Sequence, residues 1–161
     1  MATRRRTKVY VSIVVEEVKD GDLGNPVNVQ KMVYDRTFES GNGSNQMDLS
    51  YSDAAVSSTT DYDVAGSLSD SFGATITMSK LAIIAAHCKG SASTDVMRVG
   101  GDANSVPFMG AAADFAVLGP DGFALLVNPA GWTVTGSTGD VVEINHATGT
   151  YNHDALLVGK T

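Results

Sequence analysis

At 161 residues the chain has room for one domain, or for one domain and a small appendage, and its hydrophobic fraction of 43% is enough for a core. The formal net charge of −7 argues against a globule that binds nucleic acid. A single cysteine, Cys88, excludes an intrachain disulfide and a zinc site of paired cysteines. The longest apolar run, at 81–86, is shorter than a membrane span, and no signal-peptide pattern opens the chain. We expect a soluble protein made in the cytoplasm, with no membrane partner.

Two alternating segments, 9–15 and 30–38, lie near the N-terminus, with turn residues at 20–26 between them. Their alternation predicts half-buried strands. The face of the first strand that we expect to be buried carries Val9, Val11, Ile13 and Val15. The second strand groups Met32, Tyr34, Arg36 and Phe38 on one face. These strands either add to the main core or form a separate extended hairpin.

From Asp61 onward the strand signal is stronger. We expect strands within 61–66, 73–80, 80–88, 95–101, 114–128, 140–147 and 150–160. Periodicity leaves 80–88 as a strand or a short helix, and its β-rich neighbours and missing helix cap favour a strand. Within 114–128 the sequence GPDG separates two strands, with Gly122 expected to take the positive φ. The ATGT at 147–150 predicts a hairpin between the last two strands.

Turn signals about every ten residues predict an all-β protein, either a sandwich or a barrel, and of the two we expect an antiparallel β-sandwich. We expect one domain over residues 9–161, with its strand-rich core starting at about residue 61. The predicted core positions are Ile76, Met78, Ile83, Leu125, Val142, Ile144 and Leu157.

No group of residues forms a catalytic signature, so we predict that the protein is not an enzyme and uses no cofactor. His87 and Cys88 are adjacent, but neighbouring residues on a strand point to opposite faces. His146, His153 and Asp154 flank the predicted terminal hairpin and are the best metal candidates. Two histidines and a carboxylate without fixed spacing are a weak signal, and solvent-facing polar positions explain them more simply. We therefore predict no metal site.

The first eight residues are strongly basic, although the rest of the chain is acidic. The cations are Arg4, Arg5, Arg6 and Lys8. Such a run can bind an acidic partner surface, and the plainer alternative is a solvated tail. We predict an interaction arm over residues 1–8, because the run leads into a strand without a linker.

Three apolar residues in loops of small residues are candidates for a subunit interface: Phe108, Met109 and Trp132. The single tryptophan of a β protein usually lies in the core or anchors an interface. The aromatic residues do not cluster into a platform for stacking sugars.

Two segments resemble small virion proteins of tailed bacteriophages. DYDVAGSLSDSFGATITMSKLAIIAAH (61–87) is similar to their "dLaGsLtDaFG" turn, which precedes a Thr-rich strand and an apolar strand. GPDGFALLVNPAGWTVTGSTGDVVEINHATGTYNHDALLVGK (119–160) resembles their C-terminal pattern of turns and strands. The first 60 residues carry little of the likeness.

The resemblance implies a jelly-roll-like structural subunit without catalytic residues. It implies a capsid decoration, or cement, protein that binds the major capsid protein on the outside of the virion. Shells with local three-fold positions favour a homotrimer for such a subunit.

A different function remains as the alternative: a receptor- or glycan-binding module of a phage head fibre or tail fibre. A fibre module should show a repetitive shaft or an aromatic platform, and the sequence contains neither. A small hydrolase is a third possibility that no motif supports.

Overall fold

The computed structural model describes residues 6–18 and 27–161, and its regular elements are all β-strands. This confirms the predicted all-β class. The strands are β1 (Thr7–Val18), β2 (Val27–Phe38), β3 (Leu49–Val56), β4 (Thr60–Asp63), β5 (Lys80–Cys88), β6 (Val96–Gly100), β7 (Phe115–Leu118), β8 (Phe123–Thr133), β9 (Val141–Thr148) and β10 (His153–Lys160). In these ranges no helix is long and apolar enough to cross a membrane.

Strands β3 to β10 form a sandwich of two four-stranded antiparallel sheets. The first, which we call the ribbon-side sheet, has the order β3-β10-β5-β8, and the opposite sheet has the order β4-β9-β6-β7. The run 80–88 is a central strand of the ribbon-side sheet, as predicted. Strand β3 belongs to the sandwich, so the strands of the sandwich begin at Leu49 rather than at about residue 61.

The predicted hairpin at 147–150 is wrong. Strand β9 pairs with β4 and β6, whereas β10 pairs with β3 and β5 in the other sheet. The physical reason is that the two strands pack on the same core from opposite sheets. Val142 and Ile144 of β9 and Ala155 and Leu157 of β10 all belong to this core. A hairpin would place the two strands side by side in one layer.

Two other local expectations are also wrong. Residues 73–79 precede β5 and form no strand. Ile76 and Met78 are nevertheless buried in the core, and their backbone N–H groups donate to the loop carbonyls of Leu68 and Val64. At the GPDG turn the positive φ of 53° belongs to Asp121, and Gly122 closes the turn with a bond from its N–H to the Gly119 carbonyl. Aspartate tolerates this left-handed conformation because its short side chain can bond locally.

The main core lies between the two sheets. Six predicted core residues are buried: Ile76, Met78, Ile83, Val142, Ile144 and Leu157. Leu125 is only partly buried, so that prediction is wrong. It lies on edge strand β8 and, together with Ile83, belongs to a second cluster on the other face of the ribbon-side sheet.

Strands β1 and β2 form a two-stranded sheet of their own, which we call the ribbon. Of the two arrangements left open by the sequence, the separate hairpin is the one observed. Strand β1 begins at Thr7 and Lys8 pairs with Thr37, so this strand includes the last two residues of the predicted arm. The predicted turn at 20–26 lies outside the described residues.

Candidate interaction surface on the ribbon

The ribbon is long for a two-stranded element. Its pairing runs without a break from Thr7 opposite Phe38 to Val18 opposite Val27. Each strand has 12 residues, which corresponds to roughly 40 Å at the usual rise of about 3.4 Å per residue. An isolated two-stranded hairpin is marginally stable in water, so the ribbon needs support from other surfaces.

The base of the ribbon has that support from the sandwich. Val9 and Phe38 are buried in the second cluster, which also contains Ile83 and Val158 of the ribbon-side sheet. Further along the ribbon, Val11 packs against the same cluster at edge strand β8. The ribbon therefore crosses the outer face of the sheet from its central strands toward β8.

Beyond this base the ribbon is exposed on both faces. One face continues from Val9 and Val11, and the register adds residues of β2 to it. Its exposed apolar members are Ile13, Val15, Met32 and Tyr34. The reverse face exposes Tyr10, Val14, Val18, Val27, Val29 and Val33. Among the described residues, each strand of the ribbon pairs only with the other, so both outer edges also present backbone hydrogen-bonding groups.

The charges of the ribbon are largely balanced within it. Lys8 Nζ lies 3.4 Å from Asp35 Oδ2, and Arg6 Nε lies 3.5 Å from Glu39 Oε1. Both pairs are exposed, so each contributes little to stability. Of the predicted basic arm, Arg4 and Arg5 lie outside the described residues, while Arg6 and Lys8 already have carboxylate partners.

An uncovered apolar patch lies beside the base of the ribbon on the ribbon-side sheet. We define it as Ala85, Phe123 and Leu156, which come from three neighbouring strands. Phe123 is 61% exposed and Leu156 is 39% exposed. A cleft of about 210 Å³ separates this patch from the first residues of β1. The ribbon thus covers only part of the face on which it rests.

The three predicted interface residues have different environments. Phe108 is buried in the main core, with its ring centroid 6.2 Å from that of Trp132. Trp132 is partly buried against the same core. Their burial within the chain needs no partner subunit, and their interface role stays a prediction. Met109 is 37% exposed, and its assignment stays a prediction.

Two histidines that the sequence singled out do meet, although not through a hairpin. His153 is fully buried, with Nδ1 2.8 Å from His146 Nε2 and Nε2 2.9 Å from the Tyr62 hydroxyl. Either neutral tautomer of His153 satisfies both bonds: with the proton on Nδ1 it donates to His146 and accepts from Tyr62 O–H, and with the proton on Nε2 it donates to Tyr62 and accepts from His146 Nε2–H. The pKa of His153 is lowered from 6.5 to about 4. Burial is the largest cause, and the neighbouring His146 ring is the next.

The neighbours of His153 respond to the same burial. Burial lowers the pKa of His146 and raises that of Tyr62 well above its usual 10. All three groups are therefore neutral near pH 7. Asp154 instead pairs with Lys89 at 2.7 Å, and the described residues contain no cluster of three or more acidic, histidine or cysteine ligands.

The adjacent His87 and Cys88 point away from each other, as the strand geometry predicts. Cys88 is buried in the main core, whereas His87 Nε2 lies 2.9 Å from Asp121 Oδ1 at the surface. The two side chains therefore form no nucleophile and base pair.

Sequence analysis left a separate hairpin open but did not predict that most of its surface is exposed, and it missed the patch beside it. A signal for the ribbon was present, because both faces of both strands carry apolar residues. A half-buried strand needs only one apolar face, so the second face indicated a further covering surface. No comparable signal marked the patch, since Ala85, Phe123 and Leu156 are far apart in the chain.

Comparison of the chain with protein-family models, with curated proteins and with solved structures finds no significant match.

Proposed function

We propose that the protein is a structural virion protein of a tailed bacteriophage, a decoration or cement subunit that binds the outside of the capsid shell. The observation that carries the proposal is the ribbon: an apolar element that extends from a well-packed sandwich and leaves most of its surface uncovered. Exposed apolar surface on this scale is typical of a subunit that functions within an assembly. The likeness of residues 61–87 and 119–160 to phage virion proteins supports the same class.

The strand order supports the jelly-roll part of the proposal. Along β3 to β10 the chain changes sheet at every connection except β6 to β7. Eight strands in two four-stranded sheets with this alternation match the jelly roll, an architecture used by viral capsid proteins and also by lectins and cupins. This is an analogy at the level of the fold, so the ribbon rather than the sandwich distinguishes an assembly role from a sugar-binding one.

The contacts of the titratable residues support a non-enzymatic role. Cys88 is buried and points away from His87, and Tyr62 and His153 are buried in the sandwich, whereas His146 is partly exposed. A nucleophile or general base must reach a substrate, and the buried members of this set do not.

The partner proposed for the basic N-terminus is the major capsid protein of the shell. Exposed cations contribute about 0–1 kcal/mol each, so only the cluster should matter. Because Lys8 is a paired strand residue, the substitutions that test the idea are best confined to Arg4, Arg5 and Arg6.

Changing Arg4, Arg5 and Arg6 together to Ser should weaken binding to particles, with the largest difference at low salt, where charges are least screened. The measurement is co-sedimentation with undecorated particles over a salt series. The matched control is the change of Lys80, Lys89 and Arg98 to Ser, which removes equal charge from the sandwich. Equal binding of both triple variants would show that the basic run has no special role.

Location and copy number test the proposed function as a whole. We expect the protein on the capsid exterior, as trimers in hundreds of copies per particle, by quantitative mass spectrometry and particle reconstruction. A few dozen copies or fewer, or density confined to a fibre or the tail, would contradict the decoration role. Density on a head or tail fibre would favour the receptor- or glycan-binding alternative.

A further inference from the structure

We propose that the distal part of the ribbon, residues 12–18 and 27–33, docks on the ribbon-side sheet of a second copy of this chain. The receiving surface is the patch formed by Ala85, Phe123 and Leu156. The inference rests on the proposed assembly role and identifies the contact by which copies join.

The apolar side chains exposed on the distal ribbon point to a protein partner. The face that continues from the base presents Ile13, Val15 and Met32, which are 48%, 47% and 62% exposed. Contiguous exposed apolar side chains of this kind are typical of a protein interaction surface.

The ribbon-side sheet already binds this face of the ribbon. Val9 and Val11, at the base, contact the outer-face residues Ile83, Leu125 and Val127 within the same chain. The distal residues Ile13, Val15 and Met32 continue that face beyond the base. A surface that accepts the first half of the face has the chemistry to accept the second half.

The patch offers uncovered surface of the same kind on the same sheet. Phe123 and Leu156 border the cleft beside the base of the ribbon, so they lie next to the occupied area. A second cleft of about 320 Å³ extends from Phe123 to Ala85 and Leu156. Each copy thus has one unfilled apolar surface and one unsupported apolar ribbon.

Charge argues against an anionic partner. The distal residues of the two strands carry one cation, Lys31, and two carboxylates, Glu16 and Glu17. A nucleic acid or an anionic membrane would instead need a cationic ribbon.

A contact between the ribbon of one copy and the patch of the next joins two different surfaces. Such contacts form a closed ring when the rotation between copies closes. Every ribbon and every patch is then occupied, which is compatible with the trimer proposed above.

The first experiment compares two adjacent substitutions on β1 by sedimentation equilibrium of the full-length protein. Ile13→Asp places a charge on the face that continues to the patch, and we expect self-association to weaken about tenfold or more. Ser12→Asp adds the same charge on the reverse face, at a position that is also exposed, and should weaken it less. On the receiving side, Phe123→Ser should weaken association, whereas Phe72→Ser, at a phenylalanine that is 77% exposed elsewhere, should not.

The second experiment tests the contact directly by cross-linking. Proteins carrying Met32→Cys and Phe123→Cys are mixed and treated with a short bis-maleimide. We expect a covalent dimer containing one chain of each variant, and none between Met32→Cys and Phe72→Cys. The native Cys88 is buried and should not react.

The outcomes separate this inference from the proposed function. A monomeric native protein, or Ile13→Asp and Phe123→Ser variants that associate normally, would overturn the inference even if the protein decorates particles. A monomer whose particle binding is lost in Ile13→Asp would assign the ribbon to the shell instead. Self-association through the patch in a protein absent from the shell would leave the inference standing and overturn the decoration role.

Discussion

Replacing Ile144 with alanine should lower the free energy of unfolding by about 2–5 kcal/mol. Ile144 is fully buried on β9, the strand between β4 and β6 in the opposite sheet. Its neighbours across the strands are Thr60 and Val99, and its side chain lies in the main core. The loss combines the removed apolar surface with a cavity that the two packed sheets cannot close.

The matched control is Val117→Ala on edge strand β7 of the same sheet. Val117 is 60% exposed, so its truncation removes little buried surface and should change stability by about 0.5 kcal/mol or less. Urea unfolding followed by tryptophan fluorescence and far-UV circular dichroism measures both variants. Equal midpoints for the two variants would contradict the sandwich core described above, and a far-UV spectrum dominated by helix would contradict the fold.

Acidification should destabilise the protein between about pH 6.5 and pH 4, chiefly through His153. Its pKa is about 4 in the folded state and 6.5 in the unfolded chain, so the unfolded state binds more protons in this window. The contribution of His153 to the free energy of unfolding is therefore fully present above pH 6.5. It falls as the pH drops and is lost near pH 4. A difference of this size corresponds to about 3 kcal/mol.

The groups that face His153 set the direction of this effect. Burial and the His146 ring disfavour its protonation, whereas the charges of Asp53 and Asp154 act weakly in the opposite direction. The pKa of His146 is lowered as well, so its protonation should add to the loss.

The test is the free energy of unfolding as a function of pH for His153→Gln and for His87→Gln. The His153 variant keeps an amide that can bond to Tyr62 and His146 but cannot titrate, so its profile should be flatter between pH 6.5 and 4. The His87 variant is the control for the loss of a histidine at the surface, where it bonds to Asp121. Profiles of equal slope in all three proteins would exclude His153 as the titrating group.

The ribbon and the sandwich divide two physical tasks. The sandwich buries a core of its own between its two sheets. The ribbon keeps only its base on the sandwich and leaves its distal part as surface available for assembly. A marginally stable hairpin gains order from a partner surface. The protection of its backbone amides from hydrogen exchange should therefore depend on assembly.

The sequence largely predicted which segments form strands and which side chains share a face of each strand, because both depend on short-range alternation and turn chemistry. The apolar face of 140–147 identified Val142 and Ile144 as core residues, and the shared faces of 9–15 and 30–38 are those of the observed ribbon. Ambiguity between strand and helix at 80–88 was resolved by its neighbours. These features need no knowledge of which strands pair.

Pairing and coverage were decided only by the tertiary structure. The sequence predicted β9 and β10 as a hairpin, but they lie in opposite sheets because their apolar faces bury against each other. The same arrangement brings His146 to His153 and assembles Ala85, Phe123 and Leu156 on one outer face. Alternation shows that one side of a strand is apolar, but whether another layer covers that side depends on contacts distant in the chain. For the ribbon, the sandwich covers only the base.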